Sequence, residues 1–204
     1  MPPSDLYLIR HAESEWNAAG RWQGQANPPL SARGREQSRV LAEHFPDVDV
    51  RRVVSSDLVR ARETATPFAE RFGVELEIDP ALREMDVGSW SGRTREEIAE
   101  AEPGALERYY EGAVGWTGGE TFEEHELRCA AVTQELVSLD TDGVVVAVTH
   151  GGTLRAILRT LLEIPHEERW RISGPSHTTI SHLTSSPHGW RLVTFNGSLA
   201  LEDA

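Results

Sequence analysis

Leu6-Tyr7-Leu8-Ile9 is a short unbroken apolar run. Such a run suits a strand buried on both faces, because neither set of its alternating side chains meets water. A segment rich in Gly, Asn and Pro, from Asn17 to Pro29, predicts a long loop. Ser31 is placed to cap the next helix, whose apolar positions Val40, Leu41 and Phe45 recur at helical spacing until Pro46. Val53-Val54 predicts a second strand ending at Ser55-Ser56. These serines are read as the cap of a helix from about Asp57 to Phe72, with Gly73 as its stop.

Farther along, Val74 to Ile78 alternates apolar and acidic residues, the period of an edge or half-exposed strand. The pattern loosens between Pro80 and Gly119. Within and just after that stretch, Thr94-Arg95-Glu96-Glu97 and Thr121-Phe122-Glu123-Glu124 have capping-box spacing, for a short helix and for a longer one to about Ser138. Gly143 introduces Val144-Val145-Val146-Ala147-Val148, the most apolar strand of the chain and therefore a central one. Gly151-Gly152 opens a helix through Leu162, and Pro165 closes it. Thr178 to Leu183 and Trp190 to Phe195 predict a last pair of strands, joined by the turn from Ser185 to Gly189.

Strands alternating with helices predict an α/β fold, a three-layer α/β/α sandwich around a mostly parallel, mixed sheet. No repeat or linker divides the chain, so residues 1–204 read as one domain. The segment at about 93–122, with its weak periodicity, Trp116 and paired glycines, reads as an insertion covering the site.

Composition narrows the function. With 39% hydrophobic and 26% charged residues the chain can bury a sizeable core. A net charge of -13 speaks against general nucleic-acid binding, which depends on an excess of Lys and Arg. Any anionic substrate must then be drawn by a few arginines in one pocket. The single cysteine, Cys129, allows neither an internal disulfide nor a multi-cysteine metal site, and reads as a small buried hydrophobe. No basic start with a long apolar region marks a signal peptide, and no run approaches the ~20 apolar residues of a membrane span, so a cytoplasmic protein is expected.

In such sheets ligands gather beyond the carboxyl ends of the strands. Arg10-His11 follows the first strand, Arg60 lies near the start of the helix after Val53-Val54, and His150 follows the Val144 to Val148 strand. Two arginines and two histidines on one rim make an anion site, and helix N-termini at Asp57 and Gly152 are expected to add partial positive charge.

The run Arg10-His11-Ala12-Glu13-Ser14-Glu15-Trp16-Asn17 resembles the signature of the histidine phosphatase superfamily, the group that includes phosphoglycerate mutase. The resemblance continues through Gly20-Arg21-Trp22-Gln23-Gly24, Pro29-Leu30-Ser31, Ser55-Ser56-Asp57-Leu58-Val59-Arg60-Ala61, Leu82-Arg83-Glu84 and Thr149-His150-Gly151-Gly152. It implies a phosphoglycerate mutase-like fold, with His11 as nucleophile and Glu84 as proton donor. Arg10, Asn17, Arg60, His150 and the adjoining Gly151 would hold the phosphoryl group, with Gln23 and Gly24 shaping the substrate pocket. A neutral imidazole can attack phosphorus once its other nitrogen is fixed, and planar guanidinium groups suit the equatorial oxygens. The acid is expected to need a raised pKa to stay protonated near neutrality. The implied chemistry requires no metal and no cofactor, so activity should survive EDTA.

Three departures stand out. Ala12 and Ser14 replace the usual Gly and Thr, and Asn27 sits near a position where an acidic residue is common. The family's mutases carry an Arg-His-Tyr run after the acid. Here Glu84 is followed by Met85-Asp86-Val87-Gly88-Ser89-Trp90, which is similar to the phosphatase branch. Glu107-Arg108-Tyr109-Tyr110 lies too far downstream to serve as that run. The preferred reading is a phosphomonoesterase acting on a small phosphorylated metabolite, a sugar phosphate or phosphoglycerate derivative. Alternatives are a phosphoglycerate mutase and a phosphate-binding or interaction domain without catalysis. A homodimer stays open as its assembly.

Among the other histidines, His44, His166, His177, His182 and His188 are scattered without metal-pair spacing and read as surface or capping residues. His125 is a candidate substrate contact. Trp16, Trp22, Trp90 and Trp116 crowd the segments around the site, as packing residues by default or as pocket wall. Arg83 should point away from Glu84, since neighbours in an extended segment face opposite sides.

Overall fold

In the computed structural model, which describes residues 2–198, six strands form one mixed sheet. They are β1 (Asp5–Arg10), β2 (Val50–Ser55), β3 (Leu76–Ile78), β4 (Val144–Thr149), β5 (Ile180–Ser186) and β6 (Gly189–Gly197), in the order β3-β2-β4-β1-β5-β6. β1, β2, β3 and β4 are mutually parallel, β5 runs antiparallel to β1, and β6 antiparallel to β5. Every residue of β4 is buried, as its valine run requires of a strand flanked on both edges and covered on both faces.

Period-two alternation splits these apolar runs between two cores. Tyr7, Ile9, Val53, Val146 and Val148 face one way. They pack with Leu41, Ala42, Ala61, Ala65 and Phe68 from two helices, Ala32–His44 and Val59–Phe72. Leu6, Leu8, Val54, Val145 and Ala147 face the other way, onto Val132, Leu136, Leu154 and Ile157 of helices Phe122–Ser138 and Gly151–Leu161. The outcome is the expected three-layer α/β/α sandwich. With the shorter helices Glu15–Ala18, Arg95–Ala101 and Ala105–Tyr110, the helices in chain order are α1 to α7, so α2 and α3 cover one face and α6 and α7 the other.

The loose pattern between Pro80 and Gly119 has a physical cause. Leu82 still packs in the second core, but beyond it the apolar residues make a third cluster of Met85, Val87, Trp90, Ile98, Ala105 and Trp116, with Trp22 and Tyr109 against it. The rings meet edge to face, Trp22 on Trp90 at 5.1 Å and Trp90 on Trp116 at 5.3 Å. Neither α4 nor α5 presents a stripe long enough to show as a helical period.

Two sequence readings are corrected. Ser55 and Ser56 do not cap α3, which starts at Val59 after Leu58 with no local side-chain cap. Asn27 supplies one from the loop between α1 and α2, its Oδ1 accepting from the Val59 N–H at 2.6 Å. The penultimate strand begins at Ile180, not Thr178, because Thr178 turns with φ 56° before pairing starts.

Candidate active site

The carboxyl ends of β1, β4 and β2 lie side by side and deliver the site. Arg10 is in register with Thr149, and the His11 N–H donates to the Thr149 carbonyl at 2.9 Å. His11 and His150 thereby leave adjacent strands together, with ring centroids 5.1 Å apart. The Ser56 N–H donates to the Val148 carbonyl at 3.0 Å, which brings the end of β2 and the start of α3, with Arg60, to the same rim.

His11 is buried and its Nδ1 lies 2.7 Å from the Ala12 carbonyl. A carbonyl only accepts, so Nδ1 carries the proton and Nε2 keeps the lone pair. Burial, with Arg60 and Arg10 close by, holds the imidazole well below its ordinary pKa despite that hydrogen bond. His11 is therefore neutral at pH 7, with a lone pair on Nε2. His150 is held low by burial and by the same arginines. Its Nε2 is 2.9 Å from Ser56 Oγ, the use to which Ser56 is put in place of helix capping.

Arg60 is a buried cation and Arg10 a half-buried one, each with part of its hydrogen-bonding capacity spent on carbonyls. Arg10 Nη1 donates to Pro175 O at 2.6 Å, and Arg60 donates to Ala26 O and Gly24 O at 2.6 and 2.8 Å. So anchored, both guanidiniums lie close enough to His11 to lower its pKa. Among the described residues, Arg10 Nε, Arg60 Nε, His150 Nδ1 and His177 Nε2 are buried without a partner. Unpartnered buried polar atoms are rare and costly, and here four gather around one imidazole. Asn17 completes the ring. Its Oδ1 accepts from the Ser14 N–H at 3.1 Å in the cap of α1, which leaves its NH2 for the cleft it lines.

Glu84 is the largest departure from expectation. It is half-buried, its carboxylate set at the N-terminus of α7 and accepting from the N–H groups of Gly152 (3.0 Å), Thr153 (3.2 Å) and Met85 (2.9 Å). Burial pushes its pKa up, but His125, these backbone donors and Arg10 together bring it below the ordinary value. The expected raised pKa is thus overturned: Glu84 is held as a carboxylate at pH 7. The N-terminus of α7 likewise serves Glu84 instead of facing a ligand. Gly152 permits this approach, since a Cβ there would meet Glu84 Oε1 at 2.5 Å. Gly151 begins α7 and lines the cleft beside the Arg10 guanidinium.

Gln23 and Gly24 also line the cleft. Ser14 Oγ donates to Gln23 Oε1 at 2.7 Å, while Gly24 acts through the carbonyl that holds Arg60. At φ 51°, with Val87 N 2.9 Å from where a Cβ would sit, Gly24 has no room for a side chain.

The cleft of about 480 Å³ is far larger than a phosphoryl group. Beyond His11 it widens into a chamber walled by Trp22, Tyr109, Trp116, Phe122 and Trp170, with Arg155 and Arg169 among them. Segment 93–122 contributes Arg95, Tyr109, Trp116 and Phe122 to this wall. The chain's excess of acid is reversed here, with seven arginines against two glutamates in the lining.

Sequence reasoning misses His177, reading it as a surface or capping residue. It packs against His11 with centroids 5.7 Å apart, and burial with Arg10 and Arg33 nearby lowers its pKa to about 3. It arrives through the segment after α7, which no motif marks; only its place just ahead of a strand beside β1 could have signalled it. Three of the remaining histidines have structural partners: His166 pairs with Glu126, His182 with Asp5, and His44 with the Val40 carbonyl. His125 is buried on α6, with Nε2 3.1 Å from Thr153 Oγ1. Cys129 is buried and free, with its thiol pushed up to about 12 by burial. Arg83 points away from Glu84 as expected, into a bidentate pair with Asp57 at 2.8 and 2.5 Å.

Three neutral imidazoles make the fold acid-sensitive. Unfolded histidines take up protons below pH about 6.5, which the folded forms of His11, His150 and His177 refuse. Their folded pKa values are depressed, so stability is lost as pH falls. The loss is about 1.4 kcal/mol per pH unit for each imidazole kept neutral. Urea unfolding in the absence of phosphate should show a steep decline between pH 6 and pH 5. A flat profile would mean that these rings accept protons in the folded state.

The histidine phosphatase superfamily (branch 1) profile matches residues 6–198. A protein named probable phosphoglycerate mutase GpmB, from Photorhabdus laumondii subsp. laumondii, is 34% identical over 93% of this chain and 91% of its own length. Its namesake from an Enterobacter species is 31% identical over 98% and 95%. Among solved structures, a mycobacterial glucosyl-3-phosphoglycerate phosphatase complexed with VO3 superposes with a TM-score of 0.83 at 32% identity, covering 96% of this chain and all (100%) of that one. A phosphoserine phosphatase from Entamoeba histolytica, complexed with 3-phosphoglyceric acid, gives a TM-score of 0.82 at 25% identity, over 96% and 98% of the two chains. No helix among the described residues is long and apolar enough to cross a membrane. By fold, by the order of its motifs and by the profile it matches, the chain belongs to the histidine phosphatase superfamily, branch 1.

Proposed function

We propose that the chain is a phosphomonoesterase that hydrolyses small phosphorylated metabolites through a phosphohistidine at His11. The observation that carries this reading is the set of unpartnered buried nitrogens, from Arg10, Arg60, His150 and His177, gathered about the His11 imidazole. Nε2 would attack phosphorus as the P–O bond to the alcohol breaks, and a proton from Glu84 would complete the leaving hydroxyl. Water would then attack the phosphohistidine, Glu84 taking its proton, and phosphate would leave with the P–N bond broken. Arg10, Arg60, Asn17 and His150 would hold the oxygens through both steps.

The outer chamber supports a substrate whose alcohol bears a second anionic group. Arg155 lies one helical turn past Gly151, over the Trp170 ring at 5.2 Å, and forms no ion pair among the described residues. It lies close enough to Arg10 to lower its pKa, after burial and against Glu84. A phosphorylated acid, such as a phosphoglycerate derivative, would place its carboxylate there. Segment 93–122 would act as the wall that encloses it.

Purified protein should release phosphate from such esters, and from p-nitrophenyl phosphate, in the presence of EDTA; absence of turnover on both would overturn the proposal. Arg155→Met should raise KM for the acid-bearing ester about ten- to a hundred-fold relative to p-nitrophenyl phosphate, the worth of a charged hydrogen bond. Equal changes would remove Arg155 as the reader of the second anion. The names of the curated relatives favour a second reading, phosphoglycerate mutase. Exchange between phosphoglycerate isomers faster than phosphate release would establish it.

A further inference from the structure

Glu84 lies in a stretch of chain that no strand or helix holds. After β3 the backbone makes a single 3-10 turn, Pro80–Leu82, and then runs extended past Glu84. Its carbonyls therefore lack the ladder that would fix them, and side chains take its place. Thr149 Oγ1 donates to Leu82 O at 2.7 Å, and Thr153 Oγ1 donates to Arg83 O at 2.7 Å. One arginine does more than both. Arg128, in the second turn of α6, donates through Nη1 to Ala81 O and Arg83 O, both at 2.8 Å, and through Nη2 to Glu84 O at 3.2 Å.

The same guanidinium forms a bidentate ion pair with Glu120, Nε to Oε1 and Nη2 to Oε2, each at 2.8 Å. Glu120 in turn accepts the Asp86 N–H through Oε2 at 2.8 Å. The segment bearing the acid is thus gripped on both sides of Glu84, its carbonyls by the cation and its N–H by the anion. About a fifth of each side chain is exposed (21% and 19%), so the pair is shielded from most of the water that would weaken it. Glu120 also accepts from Trp116 Nε1 through its backbone carbonyl at 3.0 Å. The grip therefore reaches the aromatic wall of the outer chamber.

The geometry points to the Arg128–Glu120 pair as a positioning clamp for Glu84, one that fixes where the acid's carboxyl stands relative to the leaving oxygen. The assignment rests on the reading of Glu84 as the proton donor. Neither residue reaches His11 or the cleft around it, so neither is catalytic. The guanidinium geometry is what matters: five N–H groups in one plane serve three carbonyls and a carboxylate at once, which an ammonium cannot do. A lysine at this position would keep the charge and release most of the backbone.

Proton donation depends on the placement of the acid, whereas departure of a good leaving group does not. Arg128→Lys and Glu120→Gln should each lower the ratio of alkyl-ester to p-nitrophenyl-ester turnover about ten-fold, in protein that melts cooperatively. The pH profile for the alkyl ester should change shape with it. Glu84→Gln, measured beside them, should show the same bias more strongly. If Glu84→Gln shows no leaving-group bias, the proton-donor reading fails and takes the clamp with it. If Glu84→Gln shows the bias and both clamp variants lose the two activities equally, the clamp alone is overturned. Failure of both clamp variants to fold would overturn it as well, since the pair would then be a stability element.

Discussion

Replacing His11 with Ala should reduce hydrolysis of every phosphate ester by at least about 10⁴-fold, the scale on which loss of a nucleophile is felt when its supporting groups remain. Nothing nearby can take its place. His150 lies 5.1 Å away with Nε2 engaged by Ser56. His177 packs against the His11 ring but does not line the cleft. The cradle itself should survive, because Arg10 and Arg60 are anchored by the carbonyls of Pro175, Ala26 and Gly24 and not by His11. His11→Ala should therefore still bind inorganic phosphate, measured by titration calorimetry, while failing to turn over either ester. Hydrolysis within a hundred-fold of the parent would mean that water attacks phosphorus directly, with His11 as a bystander.

How far the sequence disclosed this site follows from what each residue depends on. Arg10-His11 and His150 were legible because each directly follows an apolar run, and the end of a buried strand is a place that a sequence marks well. The two cores were legible for the same reason, through unbroken runs in β1 and β4. The third cluster was not, since Trp22, Trp90, Tyr109 and Trp116 meet by tertiary packing of segments far apart in the chain. The protonation state of Glu84 was hidden because its controlling partners include the N–H groups of Gly152 and Thr153, 68 and 69 residues away. Ser55-Ser56 had the right chemistry for a cap, yet Ser56 went to His150 and the capping task fell to Asn27 in a loop. In each case a residue's local possibilities were visible, and the choice among them was made by a partner distant in sequence.

Glu84→Gln should cost about 10²–10⁴-fold on alkyl phosphate esters and at most about ten-fold on p-nitrophenyl phosphate, the range expected for loss of a positioned acid. An alkoxide cannot leave without a proton, whereas p-nitrophenolate can. The lowered pKa of Glu84 adds a constraint on when that proton arrives. Burial disfavours the anion, but His125, Gly152, Met85 and Arg10 outweigh it and hold the carboxyl below its ordinary pKa, ionised at pH 7. A phosphate ester brings negative charge into the same cradle, partly offsetting Arg10 and raising Glu84's affinity for a proton. The proton must then enter with the substrate, either on the ester itself, whose second pKa is near 6, or from solvent on binding. Two consequences can be measured. Phosphate binding at pH 7 should be accompanied by proton uptake, seen as a dependence of the calorimetric enthalpy on the buffer's ionisation heat, and Glu84→Gln should lose most of it. For alkyl esters kcat/KM should fall as pH rises above about 6, and the aryl ester should show a shallower slope. Gln keeps the size of Glu but turns an NH2 group toward the N–H donors of α7, so some loss on the aryl ester is expected from misplaced backbone alone. The ratio between the two leaving groups separates that disturbance from loss of the acid. Equal losses on both esters, with proton uptake unchanged, would move the proton donor elsewhere in the site.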